Sequence, residues 1–581
     1  MRLSIIPESI GNFPTLRKID LSGNRLKSLP EAIGHLPSLE SLNISSNKGL
    51  KNRPESFFKL KTLKELDISW THVRLPWYIE QMKSVEKLNM YNDYEKDENL
   101  FDSICHLPSL RELDYGGPGL ETLPECVGNL VSLIVLDLNN CGVGRIPESI
   151  GKLTSLESLA LGGSRLTSLP EVIGKLTSLK SLNLGGCGLK NLPEAIGNLH
   201  SLEYLNFAGN RLESLPSSIG KLSSLSKLYL DRNRLRILPE TLGNLKSLKE
   251  LHLYENPMEY LPETFGNLAS LQELEIWETN LRALPESFGN LSVLRKLELY
   301  TDHLTCLPES FGRLSSLEEL NMTCNKLTSL PESFGGLSSL RNADLSSNSL
   351  TRLPESFGDL ASLQELELTG NRLVHLPESF GRLPKLAKLH LNDNRLVDLP
   401  DSFGHLPSLW FLQVFNNPLT KLPKSMLQLG VLWGNFGVDE SKLDEESRNV
   451  IHEILAKAGV CIHCGAWIAF IPIEGAPNKC KSCGKLLPSS TRRCSCYKQI
   501  KAHEKFFNDL MERAKEDEEG EEKDEKSTDP VKPVSSVDSQ PSMKSISKDT
   551  PVKYCPECKA KLNANLQVCP FCNKKLDKPD K

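Results

Sequence analysis

The chain has 581 residues, of which 25% are charged and 39% are hydrophobic, and its formal net charge is −5. This length is sufficient for several domains, and the nearly balanced charge gives no overall bias towards nucleic acid or a membrane surface. The first residues lack the long apolar run of a signal peptide, and no apolar stretch of about 18 residues occurs. We therefore expect a soluble, cytoplasmic protein.

A 23-residue period dominates residues 1–437. From Pro124 to Pro423, a proline recurs every 23 residues without an insertion. Upstream the spacing is less regular, and Phe101 stands where a proline is expected, directly after the charged insert 92–99. A fixed period of this size is typical of a stacked array, so residues 1–437 are predicted to form about 18 repeats of one solenoid.

Each unit contains the pattern L-x-x-L-x-L-x-x-N-x-L, as in residues 202–212. The alternating leucines predict a short strand with one buried face. The asparagine that follows, such as Asn210, can satisfy backbone groups at the turn leaving the strand. Cys141, Cys187 and Thr279 occupy the same column, where we expect small buried turn residues rather than reactive thiols.

The second half of each unit reads L-P-E-S-[IF]-G-x-L. Its proline fixes φ and removes a donor, and the segment is too short for a long helix. We predict turns and short 3₁₀ pieces on the convex side. Because the apolar column changes from isoleucine, as at Ile150, to phenylalanine from Phe265 onwards, a stack of rings is expected in the outer core.

These motifs resemble the leucine-rich repeat family over about residues 1–435. The form of the repeat is similar to that of intracellular members, including Ras-pathway scaffolds, plant intracellular Ras-group proteins and bacterial repeat proteins. The resemblance implies an α/β-type repeat solenoid, a horseshoe with a parallel β-sheet on its concave face. It also implies that this face binds a protein partner.

The predicted concave positions change character along the array. In the seventh and eighth units they carry only small or amide side chains: Ser158, Ala160, Gly162, Ser181, Asn183 and Gly185. The next five units supply aromatic and acidic residues, which we predict to be the partner-binding site: Tyr204, Tyr229, Asp231, His252, Tyr254, Glu273, Glu275, Trp277, Glu298 and Tyr300. Aligned aromatics are typical of binding hot spots, and the acids favour a basic partner. The alternative is that these side chains only cover the strand surface.

The two ends of the array differ. Residues 438–459 are predicted to form a capping helix, with Val450, Ile451, Ile454, Leu455 and Ala458 on one face. At the other end, Leu3 aligns with a position inside the repeat motif. We therefore expect an uncapped first unit, resulting either from truncation or from a partner that covers it.

The tail contains two sets of C-x₂-C pairs. The first set is C-x₂-C-x₁₅-C-x₂-C within residues 460–498, and the second is C-x₂-C-x₁₀-C-x₂-C within residues 554–581. This spacing is typical of zinc sites and resembles zinc ribbons. Four thiolates close the tetrahedral shell, so we predict two structural Zn²⁺ ions bound by Cys461, Cys464, Cys480, Cys483, Cys555, Cys558, Cys569 and Cys572.

Three further features complete the tail. Cys494 and Cys496 are interpreted as free thiols, although they could extend the first metal site or form another with His503. Residues 499–516 are predicted to form an amphipathic helix. Residues 517–553 are rich in charged, serine and proline residues, so we expect a disordered linker.

No catalytic motif of the nucleotide-binding, metalloprotease, serine-hydrolase or kinase type is present in the sequence. We therefore predict a non-catalytic scaffold whose repeats bind one protein while the zinc ribbons recruit a second. One alternative is a nucleic-acid-associated adaptor, because both zinc modules are basic, and a steep salt dependence of oligonucleotide binding by the tail would favour it. Another is a recruiter similar to ubiquitin ligases, although the cysteine order lacks the interleaved eight ligands of a RING domain.

Overall fold

The repeats form one open, parallel β-sheet in a computed structural model of the protein. The structure describes residues 3–457 apart from 52–53, 74, 76, 92–99, 118–119 and 430–435, together with residues 552–554 and 561–563. The strands of the sheet are β1 (Lys18–Asp20), β2 (Ser41–Asn43), β3 (Glu65–Asp67), β4 (Lys87–Asn89), β5 (Glu112–Asp114), β6 (Val135–Asp137), β7 (Ser158–Ala160), β8 (Ser181–Asn183), β9 (Tyr204–Asn206), β10 (Lys227–Tyr229), β11 (Glu250–His252), β12 (Glu273–Glu275), β13 (Lys296–Glu298), β14 (Glu319–Asn321), β15 (Asn342–Asp344), β16 (Glu365–Glu367), β17 (Lys388–His390), β18 (Phe411–Gln413) and β19 (Phe436–Gly437).

The return segments of the repeats contain 3₁₀-helices, as predicted. Their bounds are Glu8–Asn12, Glu31–His35, Glu55–Lys59, Trp77–Gln81, Glu125–Asn129, Glu148–Lys152, Glu171–Lys175, Glu194–Asn198, Ser217–Lys221, Glu240–Asn244, Glu263–Asn267, Glu286–Asn290, Glu309–Arg313, Glu332–Gly336, Glu355–Asp359, Glu378–Arg382, Asp401–His405 and Lys424–Gln428. A further 3₁₀-helix, Glu440–Lys442, lies after the last strand. Two α-helices are described, α1 (Leu100–Ile104) and α2 (Glu445–Lys457).

Each strand pairs in parallel with the next one along the chain, and residues 23 apart lie opposite each other through the regular region. Between the strands and the 3₁₀-helices lies a continuous apolar core. The middle residue of nearly every strand, such as Leu205 or Leu228, is buried, whereas the residues on either side of it face outwards. This alternation is the two-residue period of a strand, and it confirms the predicted concave columns.

The asparagine column forms a hydrogen-bonded ladder. Nδ2 of Asn256 donates to the carbonyl oxygens of Leu230 and Leu253, both at 2.9 Å, and its Oδ1 accepts from the backbone N–H of Leu235 at 3.0 Å. The same pattern recurs at most other asparagines of the column, for example Asn394. One side chain thus satisfies three buried backbone groups in two adjacent repeats, which confirms the role predicted for it.

The convex side has two ladders of its own. Phenylalanine rings from Phe265 to Phe403 stack in sequence with centroids 5.7–6.2 Å apart, which confirms the predicted ring stack. In several repeats, the glutamate after the proline reaches the next repeat. For example, Oε2 of Glu194 accepts from the backbone N–H of Ser218, at the start of the following 3₁₀-helix. The carboxylate thus caps the free N–H groups at a helix N-terminus.

The C-terminal end of the array is covered by α2, where the sequence predicted a cap within residues 438–459. Val450, Ile451 and Ile454 are buried, as expected for the inward face. Oδ1 of Asp444 accepts from the N–H of Ser447, whose hydroxyl in turn accepts from the N–H of Leu422 in the last repeat. The helix is therefore hydrogen-bonded to the solenoid as well as packed against it.

The N-terminal end is more exposed. None of the residues of the first 3₁₀-helix is buried, and the side chains of Leu3, Ile5 and Phe13 are at least half exposed. In the irregular region, α1 replaces a 3₁₀-helix, and Phe101 packs edge-on against Tyr115 at 5.2 Å. The charged insert 92–99 lies outside the described residues.

The cysteines of the repeats fall into three groups. Cys105 and Cys126 form a disulfide between adjacent repeats, which the sequence did not predict. Cys141 and Cys187 are buried turn residues, as expected, and burial raises the pKa of Cys187 to about 11, so its thiol stays protonated. Cys306 and Cys324 are free and exposed.

The predicted zinc ligands and the predicted linker lie outside the described residues. Near the second set of ligands, β20 (Val552–Tyr554) and β21 (Lys561–Asn563) pair in antiparallel fashion, and the six residues between them include Cys555 and Cys558. These two strands belong to a separate compact unit, Cys494–Lys581. Among the helices that the structure describes, none is long and apolar enough to cross a membrane.

Candidate functional site

The candidate site lies on the concave face of β9 to β13. Its aromatic side chains alternate with buried leucines along each strand, so all of them point away from the core. We call this set the aromatic strip: Tyr204, Tyr229, His252, Tyr254, Trp277 and Tyr300. All six side chains are partly exposed.

The rings of the aromatic strip contact one another in sequence across the sheet. The centroid distance is 5.5 Å between Tyr204 and Tyr229, 4.6 Å between Tyr229 and His252, and 6.1 Å between His252 and Tyr254. Tyr254 then stacks on Trp277 at 4.1 Å, and Trp277 stacks on Tyr300 at 5.0 Å. The structure therefore brings together all the aromatic residues predicted from the sequence.

The last three rings form a face-to-face stack. The planes of Tyr254 and Trp277 differ by 3°, and those of Trp277 and Tyr300 by 11°. Because the three rings come from adjacent strands about 4.8 Å apart, their faces point along the solenoid and their edges point into the concave space. A partner approaching the sheet therefore meets ring edges, while the only ring faces left are those at the two ends of the stack.

One network of charged groups holds the N-terminal part of the strip. The hydroxyl of Tyr229 donates to Oε1 of Glu250 at 2.5 Å, and Lys227 contacts the other carboxylate oxygen at 2.6 Å. Burial opposes ionisation of Glu250, but the hydrogen bonds from Lys227 and Tyr229 outweigh it and lower the pKa of that carboxyl. His252 lies between Glu250 and Glu275, with nitrogen–oxygen distances of 3.3 and 3.7 Å.

A second network orients the stack at Tyr254. Asp231 is 5% exposed, and the hydroxyl of Tyr254 donates to it. Burial, followed by the charge of Asp231, raises the pKa of Tyr254 to about 12, so the hydroxyl remains a donor at neutral pH. Asp231 was predicted from the sequence as a partner contact, but the structure covers it and gives it the role of positioning Tyr254.

Carboxylates outnumber cations around the strip. The four segments that contain β10 to β13 and the turn after each strand carry seven Asp and Glu residues but only three Lys and Arg residues. These segments are residues 227–232, 250–255, 273–278 and 296–301. Lys296 lies between Glu275 and Glu298, at 3.4 and 3.5 Å, and Arg232 pairs with Glu255 at 2.8 Å. Glu273, by contrast, forms no ion pair with any residue that the structure describes. Even with these pairs, the site retains an excess of negative charge.

Comparison with known proteins places this geometry in a family. Residues 4–119, 101–188, 173–259, 251–346 and 330–457 match the family described as leucine-rich repeat region. The chain belongs to the leucine-rich repeat family. Because these matches cover most of the chain, the resemblance inferred from the repeat motif is confirmed. No curated protein matches the chain.

Solved leucine-rich repeat structures share the fold. A leucine-rich repeat protein of Leptospira interrogans is 26% identical, with 80% of this chain and 100% of that chain covered and a TM-score of 0.54. The plant peptide hormone receptor RGFR1 in complex with RGF2 is 26% identical, with 76% and 80% covered and a TM-score of 0.53. The Arabidopsis receptor kinase HAESA ectodomain in complex with an IDA peptide hormone ligand is 25% identical, with 76% and 81% covered and a TM-score of 0.51.

Sequence reasoning missed several residues of this leucine-rich repeat site. Lys227, Glu250 and Lys296 occupy the first concave column and carry much of the ion pairing, although their register positions were readable from the 23-residue period. Arg232 follows Asp231 on the same turn, and its guanidinium lies 5.9 Å from the centre of the Tyr254 ring. These four residues could have been identified from the sequence, because each is a charged residue in a column next to the aromatic residues.

A further missed residue lies behind the stack, in the asparagine column. Asp302 stands 23 residues after Thr279, and its Oδ1 accepts from the backbone N–H and the hydroxyl of Thr279 at 2.8 and 2.6 Å. Its Oδ2 is buried and has no hydrogen-bond partner among the described residues. Burial raises the pKa of Asp302 to about 6, despite the opposing hydrogen bonds from Thr279.

Proposed function

We propose that this leucine-rich repeat protein is a non-catalytic interaction scaffold whose concave face binds a protein partner through the aromatic strip. The observation that carries the proposal is the stack of Tyr254, Trp277 and Tyr300, held by buried polar contacts. Rigid, partly exposed Trp and Tyr side chains supply contact area at little cost in conformational entropy, and these two residue types are enriched in binding hot spots.

Two further observations support this proposal. Two of the structural relatives are receptors solved with peptide ligands, so this fold binds peptides in those proteins. The excess of carboxylates around the strip also favours a basic partner, because complementary charge increases the association rate and the specificity of binding.

The binding surface can be tested before the partner is identified. A displayed library of random peptides is selected on the full-length protein, and the resulting ligands are measured against Trp277→Ala, Tyr254→Ala and the control Ser158→Ala. Ligands that bind the control normally but lose affinity for the first two variants support the strip as the site. If every selected ligand binds all three variants equally well, the strip is not the binding surface.

We further propose that the tail carries two structural Zn²⁺ ions, bound by the eight cysteines of the two C-x₂-C sets. The antiparallel pairing of β20 with β21 supports the second site, because this hairpin connects through the segment that contains Cys555 and Cys558. Bound zinc would hold the thiolates in a closed tetrahedral shell and thereby stabilise modules too small to build an adequate core. The zinc modules would then be free to recruit a second partner.

Metal analysis of the purified protein tests this part of the proposal. We expect about two zinc ions per chain, and Cys555→Ser should remove one of them while the thermal unfolding transition of the repeats stays unchanged. The proposal fails if the protein binds iron instead, or if the chain retains no zinc after purification in metal-containing buffer.

We also propose a cytoplasmic location, which the C-x₂-C spacing supports because thiolate metal sites require reduced cysteines. The Cys105–Cys126 disulfide bears on this point, since disulfides persist mainly in oxidising compartments. Alkylation of cysteines in intact cells, followed by mass spectrometry, shows whether Cys105 and Cys126 are reduced thiols or a disulfide in the cell. Full alkylation of both residues fits a reducing compartment, whereas a protected, bridged pair together with secretion of the protein excludes the cytoplasm.

A further inference from the structure

The aromatic stack has two ends, and the protein itself occupies only one of them. At the first end, the guanidinium of Arg232 lies 5.9 Å from the centre of the Tyr254 ring and is held by an ion pair with Glu255. This distance is within the range of a cation–π interaction. The outer face of Tyr254 is thus already associated with a planar cation.

At the second end, the outer face of Tyr300 has no such neighbour. Trp277 covers one face of the ring, and no further aromatic ring or cation–π contact is made by Tyr300 within the described part of the chain. The next strand brings Thr323 beside Tyr300, because the N–H of Thr301 donates to the carbonyl oxygen of Thr323 at 2.9 Å. Threonine carries no ring, so the column of rings stops at Tyr300.

The small residues beside Tyr300 are held in place. The hydroxyl of Thr323 donates to Oδ1 of Asn321 at 2.7 Å, and its backbone N–H donates to the same atom at 3.1 Å. Cys324, the next residue, has a left-handed φ of 58°, and the equivalent residues Thr301 and Ser347 of the adjacent repeats are left-handed as well. We call the space over the outer face of Tyr300, bordered on one side by Thr323, the notch.

The charge around this notch selects what can enter it. Glu298 is half-buried on the same strand as Tyr300, and burial raises the pKa of its carboxyl although Lys296 opposes the shift. Burial also raises the pKa of the Tyr300 hydroxyl, and the nearby charges of Glu298, Glu275 and Glu278 raise it further, so the ring stays neutral in a negative surrounding. A neutral ring with a negative surrounding favours a planar cation over a neutral aromatic group or an anion.

We propose that the notch over Tyr300 binds the guanidinium group of an arginine from the partner, which continues the stack of Tyr254, Trp277 and Tyr300. The guest lies parallel to the Tyr300 ring, in the place where a fourth ring would stand on β14, and Glu298 supplies the nearest countercharge. Arg232 at the opposite end shows the same chemistry within the chain. This inference rests on the proposed function, and it specifies one anchor residue of the partner.

The test uses the peptides selected on the full-length protein. We expect those that depend on Trp277 to share an arginine, and replacing that arginine by the neutral isostere citrulline to weaken binding by about tenfold. This comparison changes only the ligand, so it does not depend on the folding of any variant. Peptides that need Trp277 but show no preference for arginine over citrulline would overturn the inference while leaving the proposed function intact.

Variants of the notch provide a second test. Thr323→Tyr places a ring over Tyr300 and should abolish the difference between arginine and citrulline, whereas the matched control Ser346→Tyr, in the same column one strand further on, should preserve it. Glu298→Gln should reduce the preference for arginine without removing binding. The inference is wrong if Thr323→Tyr binds the arginine peptide as tightly as the parent protein. If Trp277→Ala has no effect on any peptide, the proposed function itself fails.

Discussion

In β7 and β8 the concave columns carry serine, alanine, asparagine and glycine, whereas in β10 to β13 the same columns carry aromatic and charged side chains, most of them acidic. We call the first set, Ser158 to Gly162 and Ser181 to Gly185, the plain strip. Both regions have three-residue strands, a buried central leucine and the same parallel register. The backbone therefore does not explain why one region is suited to binding and the other is not.

In the plain strip, polar side chains form hydrogen bonds with the neighbouring backbone of the sheet. The backbone N–H of Gly162 donates to Oδ1 of Asn139 at 2.7 Å, and a Cβ atom at Gly162 would lie 2.9 Å from that same oxygen. Asparagine amides thus fold over the glycines and use their hydrogen-bonding capacity within the sheet. The aromatic strip instead leaves its ring edges facing the concave space, beside the carboxylate of Glu273, which forms no ion pair with any described residue. The difference shows that this solenoid can change its binding properties column by column without any change to its core.

The largest change in stability is expected at position 302, where an aspartate interrupts the asparagine ladder behind the aromatic strip. At position 302 an asparagine would donate from Nδ2 to carbonyl oxygens three and 26 residues earlier, as Asn325 does, but Asp302 places Oδ2 there. The folded pKa of about 6 is above the usual value of 3.8, so the folded state binds the proton more tightly. Protonated Asp302 contributes its full stabilisation of the folded state below about pH 4, and this stabilisation is lost as the pH rises through about 6.

Asp302→Asn should therefore raise the free energy of unfolding by about 3 kcal/mol at pH 8, and by much less near pH 4. Urea denaturation followed by circular dichroism at the two pH values measures both differences. Asp359→Asn, at an exposed carboxylate on the convex side, serves as the control. A gain in stability that does not change between pH 4 and pH 8 would show that burial does not raise the pKa of Asp302.

The second effect concerns binding. Trp277→Ala or Tyr254→Ala should weaken the binding of strip-dependent peptides by about 2 kcal/mol, because each removes a ring from the stack. Ser158→Ala, in the plain strip, should change the affinity by less than about 0.5 kcal/mol. Isothermal titration calorimetry measures the affinities, and circular dichroism checks that the variants fold. Equal losses in both strips would show that the concave face binds without a preferred region.

The third prediction concerns local stability along the array. The first repeats bury less apolar surface than those around the aromatic strip, as the exposure of Leu3, Ile5 and Phe13 shows. Amides of β1 and β2 should therefore exchange at least about tenfold faster than amides of β10 to β13. Hydrogen–deuterium exchange with mass spectrometry measures this. If amides in both regions are protected to the same extent, the prediction that the first repeats are uncapped and less stable is wrong.

The smallest expected effect is the loss of stability when one ion pair is removed from each region. Lys227→Met should cost about 1 kcal/mol of stability, because Glu250 is largely covered and loses its nearest cation. Lys180→Met breaks the pair with Glu157 beside the plain strip, where both side chains are about half exposed to screening solvent, and should cost less stability than Lys227→Met. Thermal denaturation of the two variants at low salt tests the difference. The prediction fails if Lys180→Met is the more damaging substitution.

Much of the architecture follows from the sequence alone, because each column repeats every 23 residues. The period placed Leu205 and Leu228 in the core, Asn256 in the ladder and Phe311 in the convex stack. It also predicted which side chains face the concave side, since inside and outside alternate strictly along a strand. These properties depend on the identity of one residue and its place in the unit, and both can be read directly.

Three features were decided only by the tertiary structure. Asp231 is covered by Tyr254 rather than exposed, the three rings stack with their edges outwards, and Asp302 carries a buried oxygen that lacks a partner within the described residues. Each depends on the side-chain rotamers of residues 21 to 23 positions apart and on the hydrogen-bonding groups that meet there. The sequence determined which residues share a column, and the packing of adjacent repeats determined which of their surfaces remain open to a partner.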